Sequence, residues 1–255
     1  SAEDPAFPRH PTMPAPSPHD PLGLLGQTLD GRYLLRDVLG TGDTGVVYSG
    51  EHLALRRACA IKVLHPQVQR DATRLQSIVQ GSRLAAQAGC DRLIVTDDIL
   101  SGANLTAFVM PLLQGEDLAA HLRRTGALPW GQVRHLALAM GGALRDLHAR
   151  GLVFGGLMPS NVFLPHAGGP DCDVRLLDVG ISRHDAQTAS AAYISPEQVQ
   201  AGTLDARSDL YSFAVLLHEL LTGQPVFVGT PVQVAQMHRF KPARSPGASG
   251  VALPP

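Results

Sequence analysis

The chain has 255 residues, 44 % of them hydrophobic and 17 % charged, with a formal net charge of −1. That is enough apolar material for one large or two-lobed domain and too much for general disorder. The balanced charge excludes a polybasic groove for nucleic acid or a membrane surface. Cys59, Cys90 and Cys172, odd in number and widely spaced, read as reduced thiols of a cytoplasmic protein rather than as a disulfide frame or zinc site.

Residues 1–26 hold seven prolines and no apolar periodicity, which predicts a disordered or polyproline-type arm. From Tyr33 to Val63 β-branched and aromatic residues are cut by glycines, a strand pattern. Arg74–Ala88 reads as a helix with Leu75, Ile78 and Val79 on one face, weakened by Gly81. Asp91–Met110 predicts two more strands with a turn at residues 101–104. After Pro111 the pattern turns helical, over Glu116–Arg124 and Gln132–Arg150. Short strands follow at Val162–Leu164 and Val174–Leu177, then a strongly apolar, buried helix over Asp209–Leu221. That apolar run is broken by His218 and Glu219, so it does not read as a membrane span. Residues 241–255 return to Pro, Gly and Ser.

Of the 21 cationic residues, 19 are arginine, and only Lys62 and Lys241 are lysine. A lysine kept in such a chain suggests a place where a compact point charge works and a planar fork does not. Lys62 follows a glycine loop, Gly40-Thr41-Gly42-Asp43-Thr44-Gly45-Val46-Val47, of the form G-x-G-x-x-G-x-V. Glycines there let the backbone come close to phosphates.

Further motifs follow in order. They are Phe108-Val109-Met110-Pro111-Leu112-Leu113, Pro159-Ser160-Asn161, Asp178-Val179-Gly180, Ser195-Pro196-Glu197-Gln198, and Asp205–Phe213 with Glu219–Gly223. With the glycine loop and Lys62 they resemble the eukaryotic-like, bacterial Ser/Thr protein kinase family. The resemblance implies an α+β, bilobal fold. Residues 27–112 would form a small antiparallel-sheet lobe with one helix, and residues 113–255 a mainly helical large lobe that ends early, with an irregular tail at 241–255. It implies ATP with Mg²⁺ or Mn²⁺ as ligands. Gly40, Gly42, Gly45 and Lys62 would meet the phosphates. Val47, Ala60, Met110, Pro111, Leu113 and Phe163 would surround the adenine, and Asn161 and Asp178 would hold the metal. Pro111 lacks an N–H but keeps its carbonyl.

The departures from the family pattern cluster on transfer. Phe154-Gly155-Gly156 stands where the family has His-Arg-Asp, so Gly156 offers no carboxylate to orient an acceptor hydroxyl, and no catalytic residue is assigned. Met158 replaces the lysine that meets the γ-phosphate, and Gly155 cannot grip a phosphorylated loop. No Glu lies between Glu51 and Glu116, so the helix partner of Lys62 falls at Gln80 or Gly81. A neutral bond from Gln80, or Asp178 or a nucleotide phosphate, are then the partners left for Lys62. Glu197 is expected to lack its family arginine partner.

These features give the expectation of a pseudokinase, not an enzyme. It would be a regulatory protein-interaction module that responds to nucleotide, with an active kinase, a phosphoprotein or a second copy as partner. Two alternatives stay open. One is a scaffold without nucleotide, favoured by Asp43 at the loop tip and by bulky Phe163. The other is an atypical transferase using His184 and Asp185.

Overall fold

The computed structural model describes residues 19–102, 105–165, 174–179 and 188–249. Among these, six strands form one antiparallel sheet in the order β1-β2-β3-β4-β6-β5. They are β1 (Thr28–Leu29), β2 (Tyr33–Thr41), β3 (Gly45–His52), β4 (Arg57–Leu64), β5 (Asp98–Ser101) and β6 (Thr106–Pro111). Alternation of side chains sets the two faces. Ile61, Val63, Ala107 and Val109 face one way and pack with Leu35, Val46 and Tyr48. Ala60, Leu64, Phe108 and Met110 face the other and pack with Val68 and Ile78. Lys62 shares this second face, so the period of the strand aims it toward the large lobe.

Val68 and Ile78 come from α1 (Pro66–Arg70) and α2 (Ala72–Gln87). The sequence suggested one helix in this lobe; two are present, because Pro66 starts a short turn that Asp71 ends. Asp71 then caps α2 by accepting from Arg74 N at 2.9 Å.

A second correction concerns the arm expected over residues 1–26. Residues 1–18 lie outside the described residues, but residues 19–26 pack on the sheet. Asp20 accepts from the Tyr48 hydroxyl at 2.6 Å and from Leu25 N at 2.8 Å, and Leu24 joins the sheet's core. The turn expected at residues 101–104 is described only up to Gly102.

The large lobe opens with β7 (Gly115–Asp117), which pairs with β8 (Val162–Pro165); β9 (Arg175–Leu176) completes a three-stranded sheet. Asp117 caps α3 (Leu118–Thr125) through Ala120 N at 2.7 Å. The core is built on α4 (Trp130–His148), whose Val133, Leu136, Met140, Leu144 and Leu147 recur at helical spacing and are buried. They share a cluster with Val215, Leu216 and Leu220 of α6 (Ala206–Thr222), which follows the short α5 (Pro196–Val199). Asp205 and Ser208 form a reciprocal cap at the start of α6, and Gly223, left-handed at φ 66°, stops it. One face of α6 is buried as expected, while Leu210 on the other is 53 % exposed. Helix α7 (Pro231–Phe240) packs against the 3-10 turn at Ala189–Tyr193. Cys59 and Cys90 are buried free thiols, and Cys172 lies outside the described residues. No helix among the described residues is long and apolar enough to cross a membrane.

Candidate functional site

Between the two lobes lies a cleft of about 270 Å³. All twelve residues singled out for binding line it: Gly40, Gly42, Gly45, Val47, Ala60, Lys62, Met110, Pro111, Leu113, Phe163, Asn161 and Asp178. Leu39, Ile94, Leu112, Asp117, Ser160 and Leu177 line it too and were not anticipated from sequence.

The roof is the β2–β3 hairpin. Gly45 is required there by close backbone approach: a Cβ on it would lie 2.2 Å from the Val63 carbonyl oxygen. At Gly40 and Gly42 an added Cβ would meet nothing within 4 Å, so the loop leaves open room over the cleft. The Gly42 N–H donates to the Gly45 carbonyl at 2.9 Å, and a His65 ring nitrogen lies 2.9 Å from the Gly42 carbonyl. Asp43 is exposed and does not line the cleft.

The side wall follows from strand register. Ala60 sits opposite Met110, and Cys59 opposite Pro111. Pro111 ends its strand, where a missing N–H is tolerated. Phe163 on β8 closes the floor beside Asp117.

At the inner end Lys62 Nζ donates to Asp178 Oδ2 at 2.5 Å; Lys62 is 4 % exposed. Of the partners open to Lys62 in the sequence, the structure has Asp178, and Gln80 is exposed on α2. Asp178 is left-handed, φ 62°, a conformation that short polar side chains tolerate better than most. Asn161 is buried, and its amide donates to the Gly156 carbonyl at 2.7 Å. Asn161 and Asp178 both line the cleft, and hard oxygens of the kind they carry suit Mg²⁺ or Mn²⁺ more than a soft metal. The residues therefore fit a nucleotide phosphate with a hard divalent cation. Gly180, His184 and Asp185 lie outside the described residues.

The loop that carries Gly156 is firmly held. The Asp209 carboxylate, 1 % exposed, accepts from Phe154 N at 2.8 Å and Gly155 N at 2.7 Å, and a His148 ring nitrogen lies 2.8 Å from it. Gly155 is left-handed at φ 76°, which a larger residue adopts with strain. The Gly155 carbonyl accepts from Gln198 at 3.0 Å. Phe154 and Val179 both belong to the buried apolar cluster of the large lobe. Glu197 is not left without a partner: the Ser208 hydroxyl donates to it at 2.5 Å. Burial works to raise its carboxyl, but bonds from Ser208, its own N–H and Ser195 hold it below the usual range.

A glycine hairpin over an interlobe cleft, a strand lysine paired with an aspartate after β9, and a helical lobe built on α4 and α6 define a protein-kinase fold. A protein kinase domain model matches residues 33–245, and the chain belongs to that family. It is 33 % identical to the serine/threonine-protein kinase PknL of Mycobacterium tuberculosis over 238 residues, covering 89 % of this chain and 58 % of PknL. It is 30 % identical to PknB of Mycobacterium leprae over 225 residues, covering 82 % of this chain and 36 % of PknB. The crystal structure of the Mycobacterium tuberculosis PknI kinase domain superposes with a TM-score of 0.68 at 27 % identity, over 81 % of this chain and 82 % of that one. The chain thus spans roughly two to three fifths of the length of these curated relatives.

These relatives are named as serine/threonine protein kinases, which are enzymes, and this overturns the expectation that the chain is not an enzyme. The reason is one of scope. Gly156 removes one carboxylate from the site; the fold, the cleft and Lys62 with Asp178 are those of a kinase domain.

Proposed function

We propose that the chain is a nucleotide-binding protein kinase domain whose output includes a conformational signal to a protein partner. ATP with Mg²⁺ or Mn²⁺ would enter the interlobe cleft, with Lys62 and the glycine hairpin at its phosphates, and Asn161 and Asp178 at the cation. Residues 27–112 and 113–255 act as two jaws in this reading, and the nucleotide shifts the population toward a closed form that the partner recognises. The observation that carries it is the Lys62–Asp178 ion pair, buried at the inner end of the cleft and shared between the jaws. Bound nucleotide supplies a phosphoryl group. Any transfer proceeds without a carboxylate at position 156 or a cationic side chain at position 158, so positioning carries more of the chemistry.

Thermal shift with ATP, with and without Mg²⁺ or Mn²⁺, tests this reading. A rise in Tm at millimolar nucleotide, abolished in Lys62→Ala, is expected. No shift in either metal overturns it.

A further inference from the structure

A second cleft, of about 510 Å³, shares no residue with the first. Gly89 to Arg92, in the turn after α2, form one side. Arg145, Asp146 and Arg150 at the end of α4 form another, and Arg175 on β9 closes it. Among the described residues, the guanidinium groups of Arg92, Arg145, Arg150 and Arg175 line it beside the carboxylates of Asp91 and Asp146, in a chain whose overall charge is near neutral.

The arrangement is built by the backbone. Leu176 N donates to the Arg92 carbonyl at 2.8 Å, and Ile94 N to the Leu176 carbonyl at 2.9 Å. Arg92 and Arg175 therefore leave neighbouring, stitched segments. The Arg92 guanidinium lies directly on α4: a Cβ on Gly142 would come 2.6 Å from its Nη1 atom. Glycine is the weakest helix former after proline, yet Gly142 sits well inside a helix of 19 residues.

Three of the arginines have local work, Arg175 by donating to the Val174 carbonyl at 3.3 Å. Arg145 pairs with the Asp146 carboxylate at 2.9 Å, and Arg150 donates to the Asp146 carbonyl at 2.6 Å, both favourable at a helix C-terminus. The Arg92 side chain has no hydrogen bond or ion pair among the described residues. A planar guanidinium offers paired N–H donors that match two oxygens of a phosphate. The cleft is larger than a bare phosphate ion and has room for a phosphorylated side chain with some of its backbone.

We propose that this cleft binds a phosphate dianion carried on a phosphorylated serine or threonine of a protein partner. Fluorescence polarisation tests it with a short, labelled phosphoserine peptide flanked by glycine and alanine, its unphosphorylated form, and inorganic phosphate as competitor. The phosphopeptide should bind at least about tenfold tighter than the serine form, and Arg92→Ala should remove most of that gain. Gly142→Ala should weaken binding as well, because its Cβ displaces the guanidinium, while thermal melting shows the variant folded at least as well as the parent. Equal binding of the two peptides, or full binding by both variants, overturns the proposal. Inorganic phosphate that binds as tightly as the phosphopeptide, with the same dependence on Arg92, makes this a small-ion site and overturns protein docking.

Discussion

Lys62 Nζ and Asp178 Oδ2 stand 2.5 Å apart although 116 positions separate them in the chain. Lys62 is shut away from water, Asp178 keeps 15 % of its side chain exposed at the cleft, and the pair ties β4 of the small lobe to the segment after β9. Removing Lys62 takes the cation from a largely buried carboxylate. Lys62→Ala should therefore cost about 3 kcal/mol or more of stability, read from urea unfolding. An unchanged midpoint would mean that Asp178 relaxes into solvent.

Gly156 permits a direct gain-of-rate experiment. It does not share the left-handed backbone of Gly155, so its backbone accepts an aspartate without that strain. Gly156→Asp should raise phosphoryl transfer from γ-labelled ATP to a Ser/Thr peptide by roughly 10²–10⁴-fold over the parent. A flat response would place the limit at Met158 or at the absent helix glutamate.

Asp209 gathers two backbone N–H groups and a histidine at one buried carboxylate. Asp209→Ala orphans the donors of Phe154 and Gly155, at about 1–3 kcal/mol each. A fall in Tm of about 4 °C or more should follow for a domain of this size. Asp209→Asn, which keeps one acceptor, should fall between the parent and the alanine variant.

Two glutamates of the large lobe predict opposite pH behaviour. Burial pushes the Glu219 carboxyl up, against the Tyr193 hydroxyl that donates to it at 2.6 Å and against His218. The native state then holds a proton that the unfolded chain has released, so this stability is present below the ordinary glutamate range and is lost as pH rises through the raised value. Glu219→Gln keeps an acceptor for Tyr193 and should raise Tm at pH 7 more than at pH 4. Glu197, held below its usual range, contributes the other way: its share is present above that range and lost on acidification. Glu197→Gln should therefore lower Tm at pH 7 and matter less at pH 4. Melting curves for both variants across that range check the signs.

Much of the interlobe cleft is legible in the sequence because its parts are short and local. A glycine hairpin, a lysine on the next strand and an Asn or Asp at a strand end each carry their own spacing. The partner of Lys62 stays open at that level, since pairing across 116 positions has no local pattern. The arginine cleft is not legible: its residues come from the turn after α2, the end of α4 and β9, and each looks like an ordinary surface arginine. Helix α1 escapes notice because five residues are too few to show a period. Residues 19–26 mislead because prolines in residues 1–18 set the composition of the whole stretch. The anchor there is a single aspartate, which no average reveals.

That anchor bears on where this domain begins. The family match starts at residue 33, yet the hydroxyl of fully buried Tyr48 is satisfied by Asp20, and Leu24 and Leu29 fill the same core. A chain trimmed to the family boundary would lose its first strand and leave a phenol facing inward with nothing to accept its proton. The heritable unit of this fold and its physical unit differ by a strap of about a dozen residues. Anything that pulls on the chain ahead of Asp20 therefore pulls first on the sheet that roofs the interlobe cleft.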